Sequence, residues 1–145
     1  MGTALQHNIG AYIAIATSVF PQAVAANVNG AGIDRFAHNM ALSCVLHQLV
    51  GAEAGAPTGV SVQTKLQHSP DDVTWADYDA PGGATVAQTV ALTAAATENS
   101  VAIDLSSANR YVRAVTLVTL TGGETPTVEV AADIVFGGES LLSAA

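Results

Sequence analysis

The stretch "VSVQTKLQHSPDDVTWADYD", residues 60–79, decides the fold. In its first half Val60, Val62, Thr64 and Leu66 alternate with Ser61, Gln63, Lys65 and Gln67. A period of two puts one set on a buried face and the other in water, as in a half-buried antiparallel strand. Pro70, Asp71 and Asp72 then read as a tight turn, because proline presets its own backbone angle and an aspartate side chain accepts hydrogen bonds from nearby backbone N–H groups. The chain returns through Trp75, Asp77, Tyr78 and Asp79. Trp75, at the start of the returning strand, is expected to anchor the hydrophobic core, with Asp71 and Asp72 shaping the turn.

The same stretch holds a histidine, a serine and several aspartates, so a catalytic reading has to be weighed. His68 and Ser69 are neighbours at the end of a strand, and neighbours on a strand point to opposite faces. They cannot easily converge on one substrate atom, and a structural hairpin is the better account. The spaced ligands, mid-loop Gly and terminal Glu of the helix-loop-helix calcium motif are missing, so the carboxylates read as solvated turn residues. Cys44 and His47 form a C-x-x-H, but an odd offset on a strand separates the two ligands, and His38 lies too far along the chain to help. The Gly pairs of "APGG", "TGG" and "FGG" do not form a phosphate-cradling pattern and read as turns. No catalytic, metal or cofactor-binding residue is therefore expected.

Outward from the hairpin, "TVEVAADIVFGG" (residues 127–138) repeats the alternation, with Val128, Val130, Ala132, Ile134 and Phe136 on one face. Further strands are expected over residues 11–20, 22–28, 38–50, 72–78, 85–92, 100–105 and 110–121, separated by turn signals such as "NGAG", "GAEAGAPTG" and "TGGETP". The stretch "VAQTVALTAAATEN" sets helix-favouring alanines against strand-favouring Thr and Val, and is read as strand. "RYVRAVTLVTLTGG" is apolar or Thr on both faces beyond its arginines, which predicts a central strand or one pressed against a neighbouring subunit. Together these predict an all-β chain folded as an antiparallel two-sheet β-sandwich, a jelly roll being among the topologies allowed.

The 145 residues suit one domain, read as residues 11–145, preceded by a flexible arm over residues 1–10 that carries no strand pattern. Leu5, Gln6, His7, Asn8 and Ile9 of that arm are candidate interface residues that would order on a partner. Only 11% of residues are charged while 50% are hydrophobic. So weakly charged an exterior is expected to lie against other subunits, since broad apolar patches are uncommon on monomers. Four Lys plus Arg stand against twelve Asp plus Glu, a net charge of −8 that argues against nucleic acid and anionic membrane as partners. A single Cys44 excludes an internal disulfide and suits a reducing cytosol. No Lys or Arg precedes the apolar run "AYIAIATSVFPQAVAAN", and Pro21 breaks it, so it is read as structural rather than as a leader or membrane helix.

Three phrases in order, "NGAGIDRFAHNMALSCVLHQLVG", then the opening stretch, then "VAIDLSSANRYVRAVTLVTLTGG", resemble the small head proteins of tailed bacteriophages that act as capsid decoration or cement proteins. The resemblance spans residues 28–138 and departs at the turn, where Asp72-Val73 stands in place of the common Asp-Gly. It implies a non-enzymatic β-sandwich subunit, a homotrimer, seated on the outside of an icosahedral shell and bound to the major capsid protein. It also implies synthesis in the host bacterial cytoplasm, a final location on the virion surface, and no cofactor. The alternative is a glycan-binding module of a tail or host-attachment apparatus. Trp75 and Tyr78 beside the acidic turn favour it, and an aromatic content of 5% opposes it.

Overall fold

The computed structural model describes residues 9–81 and 86–138. Among them nine strands form: β1 (Ala14–Val24), β2 (Val28–Asn29), β3 (Ile33–Asp34), β4 (Ser43–Ala54), β5 (Gly59–Ser69), β6 (Ala76–Asp77), β7 (Thr97–Asp104), β8 (Tyr111–Thr121) and β9 (Thr127–Gly137). One sheet runs β1-β9-β4-β7 and the other β2-β8-β5-β6, with β3 also on β8. Every pairing is antiparallel. The order is nested: β1 pairs β9, β2 and β3 pair β8, β4 pairs β7, and β5 pairs β6. A chain wound as one long hairpin folded back on itself in this way is a jelly roll. The expected two-sheet sandwich is what forms, and the strand order adds a topology that side-chain periodicity does not encode.

The predicted alternation sets the core. Val128, Val130, Ala132, Ile134 and Phe136 of β9 face Val60, Val62, Leu66, Val112 and Ala114 of the other sheet's strands, all buried. At about 1.5–3 kcal/mol per fully buried large apolar side chain, this layer is the main stabilising term. Its centre holds a polar knot. Thr64 Oγ1 donates to Gln48 Oε1 at 2.8 Å and lies 3.1 Å from Thr116 Oγ1, while Gln48 Nε2 donates to the Val90 carbonyl at 3.2 Å. Gln48, Thr64 and Thr116 are all buried, and they bridge β4 of one sheet to β5 and β8 of the other. Only one register of the two sheets satisfies them all.

Four stretches differ from the expectation. The sequence predicts separate strands over residues 11–20 and 22–28, divided at Pro21, yet β1 passes through it with register shifts at Thr17/Val19 and Val19/Gln22. An edge strand has one side free of ladder bonds, so proline's missing N–H costs nothing there. Of residues 72–78 only Ala76 and Asp77 become strand, because the first part is consumed by the turn. Within residues 86–92 the ladder reduces to isolated bridges, Val62 to Leu92 and Lys65 to Gln88, that run along the outer edge of β5. The strand expected over 38–50 begins only at Ser43, and His38 instead ends a short 3-10 turn, Arg35–His38, capped by the Asp34 carboxylate on Phe36 N–H at 3.0 Å.

That turn places the most unusual buried group. Arg35 is 1% exposed, and its guanidinium meets no carboxylate among the described residues. It donates instead to four backbone carbonyls: Ala108 at 2.8 Å, Asn109 at 3.0 Å, Ala41 at 2.7 Å and Leu105 at 3.2 Å. One side chain thereby ties the β3–β4 connection to the β7–β8 connection at one end of the sandwich. Its Nε finds no acceptor.

Candidate interaction surfaces

The acidic turn is built by one carboxylate. Asp71 Oδ1 accepts from Thr74 N–H at 2.8 Å, Val73 N–H at 3.0 Å and Ser69 Oγ–H at 2.9 Å. The Thr74 and Val73 amides, then the Ser69 hydroxyl, hold its pKa below the ordinary carboxylate range. Asp72 adopts a left-handed φ of 61°, a conformation Asp tolerates better than most side chains. The positive φ therefore falls on Asp72, which is why Val73 can occupy the place where Gly is common. Asp71 shapes the turn through its hydrogen bonds and Asp72 through its backbone angle.

His68 and Ser69 do point apart. Ser69 is buried and committed to Asp71, whereas His68 accepts the Asn109 N–H on Nδ1 at 3.1 Å and sits edge-on to Tyr78, ring centroids 5.0 Å apart. Burial, and then the nearby Arg35 charge, lower the His68 pKa. No shared reactive centre results. Cys44 is likewise buried between the sheets while His47 faces outward to Glu98 at 3.2 Å, so the two cannot share a metal. Burial pushes the Cys44 thiol up to about 12, the opposite of an activated nucleophile.

Trp75 is not in the core. The pairing of Gln67 with Asp77 and His68 with Ala76 fixes the register, and cross-strand partners share a face. Asp77 and, two positions back, Trp75 therefore lie on the wet side with Gln67, while Tyr78 turns inward opposite Leu66. Tyr78 is 1% exposed and its hydroxyl donates to the Asp104 carbonyl, so it takes the anchoring role expected of Trp75. The half-buried Trp75 ring lies under the Arg113 guanidinium, 4.5 Å from its centroid. Arg113 donates through Nε and Nη2 to Gln67 Oε1 at 3.0 and 2.7 Å, Gln67 Nε2 donates to Asp77 Oδ1 at 2.8 Å, and Lys65 pairs with Asp77 at 2.9 Å. One face of the ring is thus already covered by the protein itself.

The opposite surface has a different character. On the outer side of the β1-β9-β4-β7 sheet, Ile15 pairs with Val135, Val135 with Val45, and Val45 with Ala102, an apolar row in register across all four strands. Ile15 is 66% exposed, and Ile13 and Leu42 lie beside the row at 40% and 44%. Ile13, Leu42, Val45, Ala102 and Val135, with Asp104, border a shallow depression of about 620 Å³. The next row holds Thr17, Asp133, His47 and Ser100, and the one beyond it Ala131, Leu49 and Glu98. The sequence carried a signal for this face. In "SCVLHQLV" Val45 and Leu49 are apolar at outward positions although Cys44, Leu46 and Val50 already fill the inward ones.

Of the predicted arm residues, Leu5, Gln6, His7 and Asn8 lie outside the described residues. Ile9 opens a short 3-10 turn, Ile9–Ala11, and is 63% exposed.

No protein-family model matches the sequence, and no curated protein does. Among solved structures the chain is similar to the SPBc2 prophage-derived protein YomS, at 13% identity and a TM-score of 0.44 over 85% of this chain and 94% of that one. It is also similar to a structure of Desmodium yellow mottle tymovirus, at 9% identity and a TM-score of 0.32 over 92% of each chain. Both likenesses are loose, and the jelly-roll assignment rests on the strand order alone.

Proposed function

We propose that this chain is a non-catalytic structural protein of a phage particle, a decoration subunit that binds the outside of the assembled head and holds it together. The carrying observation is the apolar row Ile15, Val135, Val45 and Ala102 on the outer side of one sheet, which no other described residue covers. A surface of this kind is built to be covered by another protein. The resemblance of residues 28–138 to decoration proteins supports the same reading, with the major capsid protein as partner and a homotrimer as the unit that binds.

The mechanism is linkage. A protein that binds the assembled shell but not its dissociated subunits stabilises the shell by its binding free energy, repeated at every site. If each trimer spans several shell subunits, effective concentration multiplies modest contacts into firm attachment. Chemistry at a reactive centre is not required.

Mass spectrometry of purified particles tests the proposal. The chain is expected as a stoichiometric component of heads, and particles lacking it should release DNA at a lower temperature. Its absence from mature particles would refute the role.

A further inference from the structure

The two outer faces of the sandwich differ in charge, and the difference identifies the chemistry of the docking partner. The chain has four Lys plus Arg. Arg35 is buried, and the other three, Lys65, Arg110 and Arg113, belong to β5, β8 or the turn entering β8. They are already engaged with Asp77, Asp34 and Gln67. The outward rows of the β1-β9-β4-β7 sheet contain no Lys or Arg. They carry Asp104, Asp133, Glu98 and Glu129, with His47 held by Glu98.

We propose that this face seats on a protein surface whose apolar side chains are flanked by Lys and Arg, and that the β2-β8-β5-β6 sheet, with its acidic turn and Trp75, points away from the partner. The proposal rests on the decoration reading above and specifies it: the β1-β9-β4-β7 sheet is the side that meets the head shell. The apolar row would form the dry centre of the contact and the acidic rows its rim, the usual anatomy of a protein interface. Two copies of this face brought together would oppose carboxylate to carboxylate with no cation between them. That repulsion disfavours a second copy as the occupant. A basic rim on the partner turns the same charges into attraction, and it makes attachment weaken as salt rises.

The test uses heads prepared without this protein and the purified full-length chain, with bound protein measured by co-sedimentation across a salt series. The wild-type chain is expected to bind, and to bind less as salt rises. Val45→Asp should lower affinity at least tenfold. Glu98→Lys should weaken binding and flatten its salt dependence. Val73→Asp, 78% exposed at the acidic turn on the other side, should bind as wild type does. Each variant's Tm confirms that it folds, since all three side chains are exposed.

If wild type binds and Val45→Asp and Glu98→Lys bind equally well, the orientation is wrong while the decoration role stands. Failure of wild type to bind takes both down. Binding that strengthens with salt rules out the basic rim. Sedimentation of the free chain adds one more decisive outcome: an oligomer that Val45→Asp converts to monomer would make a second copy the occupant and overturn the proposal.

Discussion

Replacing Arg35 by Met keeps an unbranched side chain of similar reach and removes every guanidinium hydrogen bond. In the native fold this group, 1% exposed, satisfies the carbonyls of Ala41, Leu105, Ala108 and Asn109. Two effects compete. A charge taken out of water is disfavoured, so burial lowers the Arg35 pKa, and removing the guanidinium relieves that cost. Against this, the carbonyls are backbone and cannot be removed with it. The Leu105 carbonyl keeps the Ala108 N–H at 3.0 Å, so three acceptors face the larger loss. The Ala41 carbonyl is buried, at about 1–3 kcal/mol for an acceptor left without a partner, while the part-buried Ala108 and Asn109 carbonyls lose less to water; the loss still outweighs the relief, and a net destabilisation of roughly 2–4 kcal/mol is expected. For a chain of this size that lowers Tm by about 10 °C. Urea denaturation followed by Trp75 fluorescence measures it, with Arg35→Lys falling between, because an ammonium cannot fork across two pairs of carbonyls. A Met variant within about 1 kcal/mol of wild type, or more stable, would refute the assignment of Arg35 as the tie between the two connections.

The remaining predictions address the core and the titrating groups. Thr64→Val keeps the side-chain volume but strands Gln48 Oε1 and the Thr116 hydroxyl, and chemical denaturation should show a loss of about 1–3 kcal/mol. Cys44 should resist a thiol reagent in the native state and react at once in denaturant, given burial and a pKa near 12; rapid native labelling would contradict its place between the sheets. Acid should destabilise the fold in two windows. The His68 pKa lies below its ordinary 6.5, so the unfolded chain binds the proton first, and stability present above pH 6.5 is lost as pH falls through the folded value. Asp34 and Asp77, lowered by Arg110 and by Gln67 with Lys65, contribute stability that persists until pH falls below 3.8 and on through their folded values. Tm measured against pH should therefore show an upper step that disappears in His68→Gln and a lower step that does not.

What periodicity encodes and what it omits both follow from the geometry of a strand. Residues 60–69 and 127–137 were legible because each has one face in the core and one in water, so side-chain polarity records orientation directly. The turn at Asp71 and Asp72 was legible because its chemistry is local. Trp75 was misplaced because hydrophobicity favours a buried ring, whereas the hairpin register, set by the pairing of Gln67 with Asp77, decides the side. Residues 86–92 formed only bridges because they sit along an edge, where the ladder is needed on one side alone. Arg35 could not be read at all. Its partners are the carbonyls of Ala41, Leu105, Ala108 and Asn109, and backbone acceptors leave no trace in side-chain identity.

The same pairings that settle one sheet also shape the other. Exposed ion pairs contribute little to stability, so the link of Lys65 to Asp77 and the fork of Arg110 on Asp34 explain little of why the sandwich holds. Their larger consequence is spatial. With so few basic residues, every exposed Lys and Arg is held on the β2-β8-β5-β6 side, and among the described residues no Lys or Arg faces the carboxylates of the β1-β9-β4-β7 sheet. An apolar row bordered by unneutralised carboxylates is a poor surface to leave in water and a poor one to stack on itself. It becomes favourable against a partner that supplies apolar contact and positive charge together, so the economy of basic residues in the sequence acts as selectivity in the assembled particle.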